Sequence, residues 1–474
     1  MEVPATIRHQ GATFVRLSRS SLRARVKSDL PIEFANEKIS AHGGLELVRR
    51  FLVAIDLPGR LRSTFRDTPL DGDYGAVRMI LLLVGLFVIG GLRVSHLAFV
   101  GTDPILLRFA GLHRMPSDRT VSDWLKRFSN ETVEKLGDLM RDLVFDGVDR
   151  CKLSRLTIDL DGTVLRTGAK VKGAERGFNP HHPKDPSYYP LTAHLAQLGQ
   201  ILRIWNRPGN VHDSHNAAGF LRVLFTDLRT RFGHRFPVEL RMDGAFFHPE
   251  IFAFLDEERV DYALKVPMWK WLGLRSAIAS RRCWTRVDDY IDGFETRLKI
   301  DPWDRTERVV VYRKRVSHET RKNFQLNLLD PDDGHYEYSA VASNKTLGIP
   351  ALWHFMAGRG AHEKTLAELK SQVGFATIPT QDKDANAAWQ ILSALTLNLV
   401  RSFQIATGAA QRPRTRKRTF DYVLQSLSTL RFELIHQPIR LVRPAGRQKL
   451  RFSVASRVQA RIEGCERGIQ RLAA

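Results

Sequence analysis

The stretch Leu156–Arg166, LTIDLDGTVLR, decides how the rest of the chain is read. An apolar run leads into two carboxylates one residue apart, Asp159 and Asp161, followed by Gly162 and Thr163. Side chains alternate along a strand with a period of two, so a strand here sends both carboxylates to one face. Such a strand end suits a phosphatase, in which one Asp attacks phosphorus and its neighbour moves a proton. It equally suits an enzyme that holds a metal with its Asp. The surrounding sequence has to choose.

The 474 residues are enough for two or three domains with proper cores, and 43% apolar against 26% charged residues describe a globular protein. Lys and Arg number 73 against 51 Asp and Glu, a net charge of +22. That excess fits a polyanionic partner, because each phosphate neutralised by the protein releases counterions. It recurs in RLSRSSLRARVK near the start, in RTRKR at 414–418 and in IRLVRPAGRQKLRF at 439–452. Cys151, Cys283 and Cys465 are far apart and odd in number, offering neither a disulfide framework nor a zinc cluster, as expected in a reducing cytoplasm. The uncharged run Met79–Leu92 is 14 residues long, whereas a bilayer span needs about 20. It is expected to be a buried core helix, with no membrane contact.

Residues 1–150 are expected to form a helical, DNA-binding domain. In MPSDRTVSDWLKRFSNETVEKL, Ser117 or Asp118 can cap a helix whose Val121, Trp124, Leu125 and Phe128 form an apolar stripe. Arg119, Lys126 and Arg127 stay outside, either docking on DNA as in a helix-turn-helix or as an ordinary solvated basic face. From 151 the period changes. The strand at 156–166 is followed by LTAHLAQ and QILRIWNR around a turn at Leu198-Gly199, then a helix capped at Ser214, the strand FPVELRMDGAFF, a helix opened by Pro249, and the strand DYALKVPM. Three meandering strands, helix, strand, helix, strand is the order of ribonuclease H-like folds. The expected architecture is therefore α/β: a mixed sheet flanked by helices over 151–268, interrupted by a β-rich insertion over 269–345 containing ERVVVYRKRV and NFQLNLL. Helices over 346–410 complete the core, and a basic region over 411–474 ends in short strands.

Two-metal phosphoryl transfer needs hard oxygen ligands around ions roughly 3.5–4 Å apart, and packed carboxylates that would otherwise repel make sense mainly as such a site. The candidates are Asp161, Asp243, which ends a strand before Gly244, and Glu363. In GRGAHEKTLAELK, Arg359, Glu363, Leu366 and Lys370 share one helix face, so Glu363 can hold a metal while the two cations grip phosphate. A solvated salt-bridged helix is the alternative reading of that face. Glu368 falls on another face and is expected to be solvated.

These segments together resemble the DDE transposases of bacterial insertion sequences, in particular the group called transposase DDE domain group 1. Relatives of that group carry Tyr, Arg, Glu and Lys with two, three and six residues between them; Arg359, Glu363 and Lys370 match the last three, and Met356, beside Phe355, stands in the Tyr slot. DLDGTV, GFNPHHPKDPSYYPL, RPGNVHDS and RMDGAFF also look like this group in the same order, and the resemblance spans roughly 40–445. It implies Asp161, Asp243 and Glu363 as ligands of two Mg²⁺ ions, for which Mn²⁺ substitutes, with Asp161 preferred over Asp159 because it directly precedes Gly-Thr. It implies strand cleavage at the element's ends and joining of the freed 3′-hydroxyl to target DNA, by a nucleoid-associated homodimer bridging two ends. The insertion suits a role at the transposon end, where Trp269, Trp271, Trp284 and Trp303 could each stack on a base; most of them are expected to be core residues, and Trp303 is the candidate DNA contact.

Two other classes compete. In a haloacid-dehalogenase-type phosphatase Asp159 would be the nucleophile, Asp161 the acid-base, and Lys265 and VDDYID (287–292) the later motifs, but this leaves the charge and the Glu363 helix without a role. In a DNA-binding protein without catalysis the three acids would have no reason to persist together. His181, His182, His194, His212 and His215 fit no common zinc spacing and are expected as loop residues facing phosphate or solvent.

Overall fold

The computed structural model describes residues 6–9, 12–15, 18–27, 29–34, 37–168, 170–177, 184–316, 336–412, 420–453 and 455–473. NFQLNLL, RTRKR, His181 and His182 lie outside the described residues. The chain forms two compact units, Met1–Lys38 and Ile39–Ala474. In the first, β1 (Thr6–His9) and β2 (Ala12–Val15) make an antiparallel hairpin, followed by the helix Arg19–Lys27. Arg25 and Lys27 close that helix, where a positive charge suits the negative end of its dipole.

The second unit opens with β3 (Ile39–Ser40) and a helical layer: Leu45–Ala54, Leu57–Thr64, Ala76–Val88, Pro104–Ala110, Asp118–Leu125 and Asn130–Arg150. Most of the uncharged run, Met79 to Val88, lies in the helix Ala76–Val88 and is buried, with Phe87 edge-on to Trp389 at 4.8 Å. Among the described residues no helix is long and apolar enough to cross a membrane. Ser117 caps Asp118–Leu125 by accepting from the Thr120 amide, and Val121, Trp124, Leu125 and Phe128 are buried as their spacing predicts. One hydrophobic core joins these helices to Lys383–Ala406, so position 150 marks a change of secondary structure, while the break between compact units falls at 38/39.

Among the described residues, the α/β part is one nine-stranded sheet. Its strands are β4 (Leu156–Gly162), β7 (Leu191–Leu195), β8 (Gln200–Trp205), β9 (Val238–Met242), β10 (Asp261–Val266), β11 (Thr285–Arg286), β12 (Ile291–Ile300), β13 (Arg305–Arg315) and β14 (Tyr336–Ala342). The short β5 (Leu165–Arg166) and β6 (Ser187–Tyr188) pair separately, and β15 (Ile439–Val442) and β16 (Lys449–Phe452) join β3. The order across the large sheet is β11-β12-β13-β14-β10-β9-β4-β7-β8. Within it, β8-β7-β4-β9-β10 is the ribonuclease H-like arrangement: two antiparallel strands beside β4, then β9 and β10 parallel to it. Parallel neighbours need crossover helices, supplied here by Ala217–Phe232 and Pro249–Glu257. The β-rich insertion extends the sheet beyond β10 through β14, β13 and β12.

Three local expectations are corrected. Asn216, in a left-handed conformation, stands at the N-cap where Ser214 was expected; the Ser214 hydroxyl bonds His212 instead. The C-terminal region has its two short strands but ends in a helix, Ser456–Ala473, whose Cys465 and Ile469 pack into the helical core. Glu368 is not solvated: it pairs with Arg401 at 2.8 Å and accepts from the Leu427 amide at 2.7 Å.

Candidate active site

The register of β4 sets the two aspartates in different company. Asp159 lies opposite His194 of β7 and Arg241 of β9. Asp161 lies two residues further on, opposite Thr192, and Asp243 follows the last residue of β9 by one position. Continuing the parallel register by two therefore brings Asp161 beside Asp243 at the carboxyl ends of both strands. Asp243 also accepts from the Ala245 amide at 3.0 Å, which fixes its side chain at the head of the following turn.

Asp159 is sealed. Arg241 grips it with both arms, Nε to Oδ1 at 2.6 Å and Nη2 to Oδ2 at 2.8 Å, and His194 Nδ1 is 3.3 Å from Oδ2. All three side chains are fully buried. Burial alone would raise the Asp159 pKa, but Arg241 and His194 outweigh it and hold the carboxyl well below the usual range. Arg241 Nη1 donates to the Phe355 carbonyl at 2.9 Å, and His194 Nε2 lies 3.2 Å from Thr365 on the helix Gly360–Gln372. The His194 ring stacks on His362 at 4.8 Å, and His362 Nε2 lies 3.0 Å from the Thr192 hydroxyl. Burial depresses the pKa of both histidines. His194 is thus a buried strand residue, not a loop histidine. The knot joins β4, β7 and β9 to the helix that carries Glu363.

Asp161 is in the opposite situation. Arg359, just before that helix, places Nη2 3.0 Å from Asp161 and 3.6 Å from Asp243, and Nη1 2.8 Å from Glu363. One guanidinium, only 5% exposed, thus gathers the three acids that the spacing singled out. Burial, followed by the charges of Asp243, Asp213 and Glu363, pushes Asp161 up to about 7 against the opposing pull of Arg359. Lys370 stands half-buried on the same helix face, where burial lowers its pKa and Asp161 opposes the shift. Met356, in the Tyr slot, is a core residue packed with Tyr312 and Leu352.

The other candidates fall elsewhere. Arg119 and Lys126 pair with Asp123 on the exposed side of their helix, and Arg127 is exposed. Trp303 is partly covered, 5.0 Å from Phe247 and 5.9 Å from Phe252. Trp269 and Trp271 are the open ones: 42% and 51% exposed, stacked on each other at 5.5 Å and seated on Phe247, four residues after Asp243. Trp284 lies against Phe294, with Arg313 over its ring. Sequence reasoning did not single out Arg241, Asp213 or the Tyr189 and Arg207 that hold Asp213, although RMDG and RPGNVHDS contain three of the four. Two-residue alternation from Asp243 would have put Arg241 on the same strand face.

The phosphatase chemistry does not fit. Its nucleophile would be Asp159, which has no exposed surface and both oxygens bound to Arg241. Lys265 is an exposed residue of β10, whereas Asp288 is half-buried in the turn between β11 and β12. A divalent metal does suit the donor set at Asp161. Four hard carboxylates, Asp161, Asp213, Asp243 and Glu363, face the partial compensation of Arg359, and a buried Asp213 oxygen lacks any hydrogen-bond donor. Among the described residues, no group of three or more His, Cys, Asp or Glu side chains is placed to hold a metal ion as it stands, and the Arg359 guanidinium stands among the carboxylates.

The ribonuclease H-like sheet with acids at adjoining strand ends defines the class, a polynucleotide-processing fold. The chain belongs to the family transposase DDE domain group 1, whose profile matches residues 23–474. No curated protein matches it closely. Among solved structures it is similar to a piggyBac transposase synaptic complex with hairpin DNA, at 11% identity and a TM-score of 0.41, over 85% of this chain and 83% of that one. Transposases of this family generally use divalent metal ions.

Proposed function

We propose that the protein cuts DNA strands at the ends of a mobile element and joins the freed 3′-hydroxyls to target DNA. Asp161, Asp243 and Glu363 are the ligands of two Mg²⁺ ions in this reading, with Mn²⁺ able to substitute. The observation that carries it is the convergence of these three acids, 82 and 120 residues apart in sequence, on the single guanidinium of Arg359. Bound divalent ions would supply an activated water and charge neutralisation on the reacting phosphate. The chain's own residues do the rest. The Asp159–Arg241–His194 knot fixes the strand end and the Glu363 helix relative to each other. Arg359 and Lys370 offer positive charge to backbone phosphates once the acids have another cation. The exposed Trp269–Trp271 pair, rather than Trp303, offers a stacking surface for an unpaired base near Asp243. The basic helix Arg19–Lys27, Arg119, Lys126 and Arg127 add phosphate contacts, and a homodimer holds the two ends together.

The test is Mg²⁺- or Mn²⁺-dependent cleavage of DNA carrying the element's own ends, comparing wild type with Asp161→Asn, Asp243→Asn and Glu363→Gln. Each substitution should remove cleavage while DNA binding survives. Cleavage that persists in any of the three removes that residue from the site, and DNA left intact by wild type on its own ends refutes the reading.

A further inference from the structure

The loop between β8 and the helix Ala217–Phe232 brings a further acid to the site. Its organiser is Arg207, which is buried. Arg207 Nη1 donates to the carbonyls of His212 at 3.3 Å, Asp213 at 3.1 Å and His215 at 3.1 Å, and Nε donates to the Tyr189 carbonyl at 3.2 Å. A planar guanidinium donates in fixed directions, so these four bonds set the path of the loop. Asp213 is thereby held against the end of β4. Its Oδ2 accepts from the Tyr189 hydroxyl at 2.7 Å. Its Oδ1 is buried, makes no hydrogen bond and lies 3.7 Å from Arg207 Nη2. A Cβ at position 162 would come within 2.0 Å of that oxygen. Gly162 therefore leaves room for a second carboxylate immediately beside Asp161, a physical reason for Asp-Gly at this strand end.

A buried carboxylate oxygen without a donor is costly unless a donor or cation reaches it. The nearest cation, Arg207, stops 3.7 Å short of that oxygen with its Nη2 buried and without a hydrogen-bond partner, and Arg359 is committed to Asp161, Asp243 and Glu363, its own Nε buried without a partner. The resident cation and the acid each leave a polar atom unsatisfied. We propose that Asp213 is a fourth carboxylate of the site: a positioning residue that strengthens divalent-cation binding at Asp161, Asp243 and Glu363 through its charge and its free oxygen. This rests on the metal reading of the previous section. The plain alternative is that Asp213 only anchors its loop through Tyr189.

Calorimetric titration of the full chain with Mn²⁺, in the absence of DNA, separates the two. Asp213→Asn should weaken Mn²⁺ binding by about 10–100-fold, the range for residues that support metal ligands. In metal-free buffer its melting temperature should equal or exceed that of wild type, because a like charge leaves the cluster. Tyr189→Phe keeps that charge and should weaken binding less. Equal Mn²⁺ affinity in Asp213→Asn and wild type overturns the proposal, and a lowered melting temperature alongside it identifies a loop anchor. Should Asp213→Asn fail to fold, Tyr189→Phe decides: weaker Mn²⁺ binding supports the role and unchanged affinity overturns it. Wild type that binds no Mn²⁺ while cleaving its DNA ends with added metal overturns Asp213's role in the free protein alone; no binding and no cleavage takes the metal reading down as well.

Discussion

Asp159 and Asp161 sit two residues apart on one strand and face the same helix, yet their surroundings are opposites. Asp159 has an arginine to itself, a histidine beside it and no contact with solvent. Asp161 shares one arginine with Asp243 and Glu363. Burial opposes ionisation at both. The ratio of cations to carboxylates then decides the outcome: below the usual range at Asp159, up to about 7 at Asp161. The first arrangement is complete as it stands and holds structure together. The second has too little positive charge, and a divalent cation would supply it.

The largest way to break this contrast is at Arg241. Arg241→Met leaves a buried, unpaired Asp159 and should cost about 3–5 kcal/mol in urea unfolding. Adding Asp159→Leu should recover most of that loss, because a buried ion pair is often replaceable by apolar side chains. A double variant as unstable as the single would mean the knot contributes more than neutralisation.

The pH dependences should run in opposite directions. The depressed Asp159 carboxyl contributes stability that is present above its unfolded pKa of about 3.9 and lost as pH falls through its folded value. Asp161, raised to about 7, contributes stability that is present below its unfolded pKa and lost as pH rises through 7. In metal-free buffer at pH 8, Asp161→Asn should therefore be more stable than wild type, by on the order of 1–3 kcal/mol. The advantage should disappear near pH 4. Thermal unfolding across that range checks the sign.

The same division between sealed and open recurs among the tryptophans. Trp271→Ala should weaken binding of single-stranded DNA by about 1–3 kcal/mol per base stacked. Trp303→Ala should act mainly on stability, since Trp303 packs against Phe247 and Phe252. Fluorescence anisotropy beside thermal melts distinguishes them. The smallest effect is expected at Glu363: its side chain is 62% exposed, so Glu363→Gln should change stability by less than about 1 kcal/mol, even as cleavage is lost.

Much of this was legible in the sequence because it depends on local period. Alternation put Asp159 and Asp161 on one face, and helical spacing put Glu363 beside Arg359. The succession of strands and helices matched the observed core order. What was not legible depends on register between distant segments. The choice between the two aspartates turns on Arg241, which lies 82 positions along the chain from Asp159. Asp213 comes to the site only because Arg207 bonds four carbonyls, which no spacing rule encodes. Glu368 has the look of a surface residue until Arg401, from the next helix, meets it. The break at 38/39 is not marked by any change of local period, whereas the change of period near 150 falls inside one compact unit.

The most direct test of the central claim maps where a divalent ion binds. Loaded with Fe²⁺ in place of Mg²⁺ and treated with ascorbate and peroxide, the chain should break at three sites distant in sequence: near Asp161, near Asp243 and near Glu363. Asp161→Asn should weaken all three together, because they surround one site. Breaks confined to a single one of these positions, or centred on the acidic segment 287–292, would contradict the account.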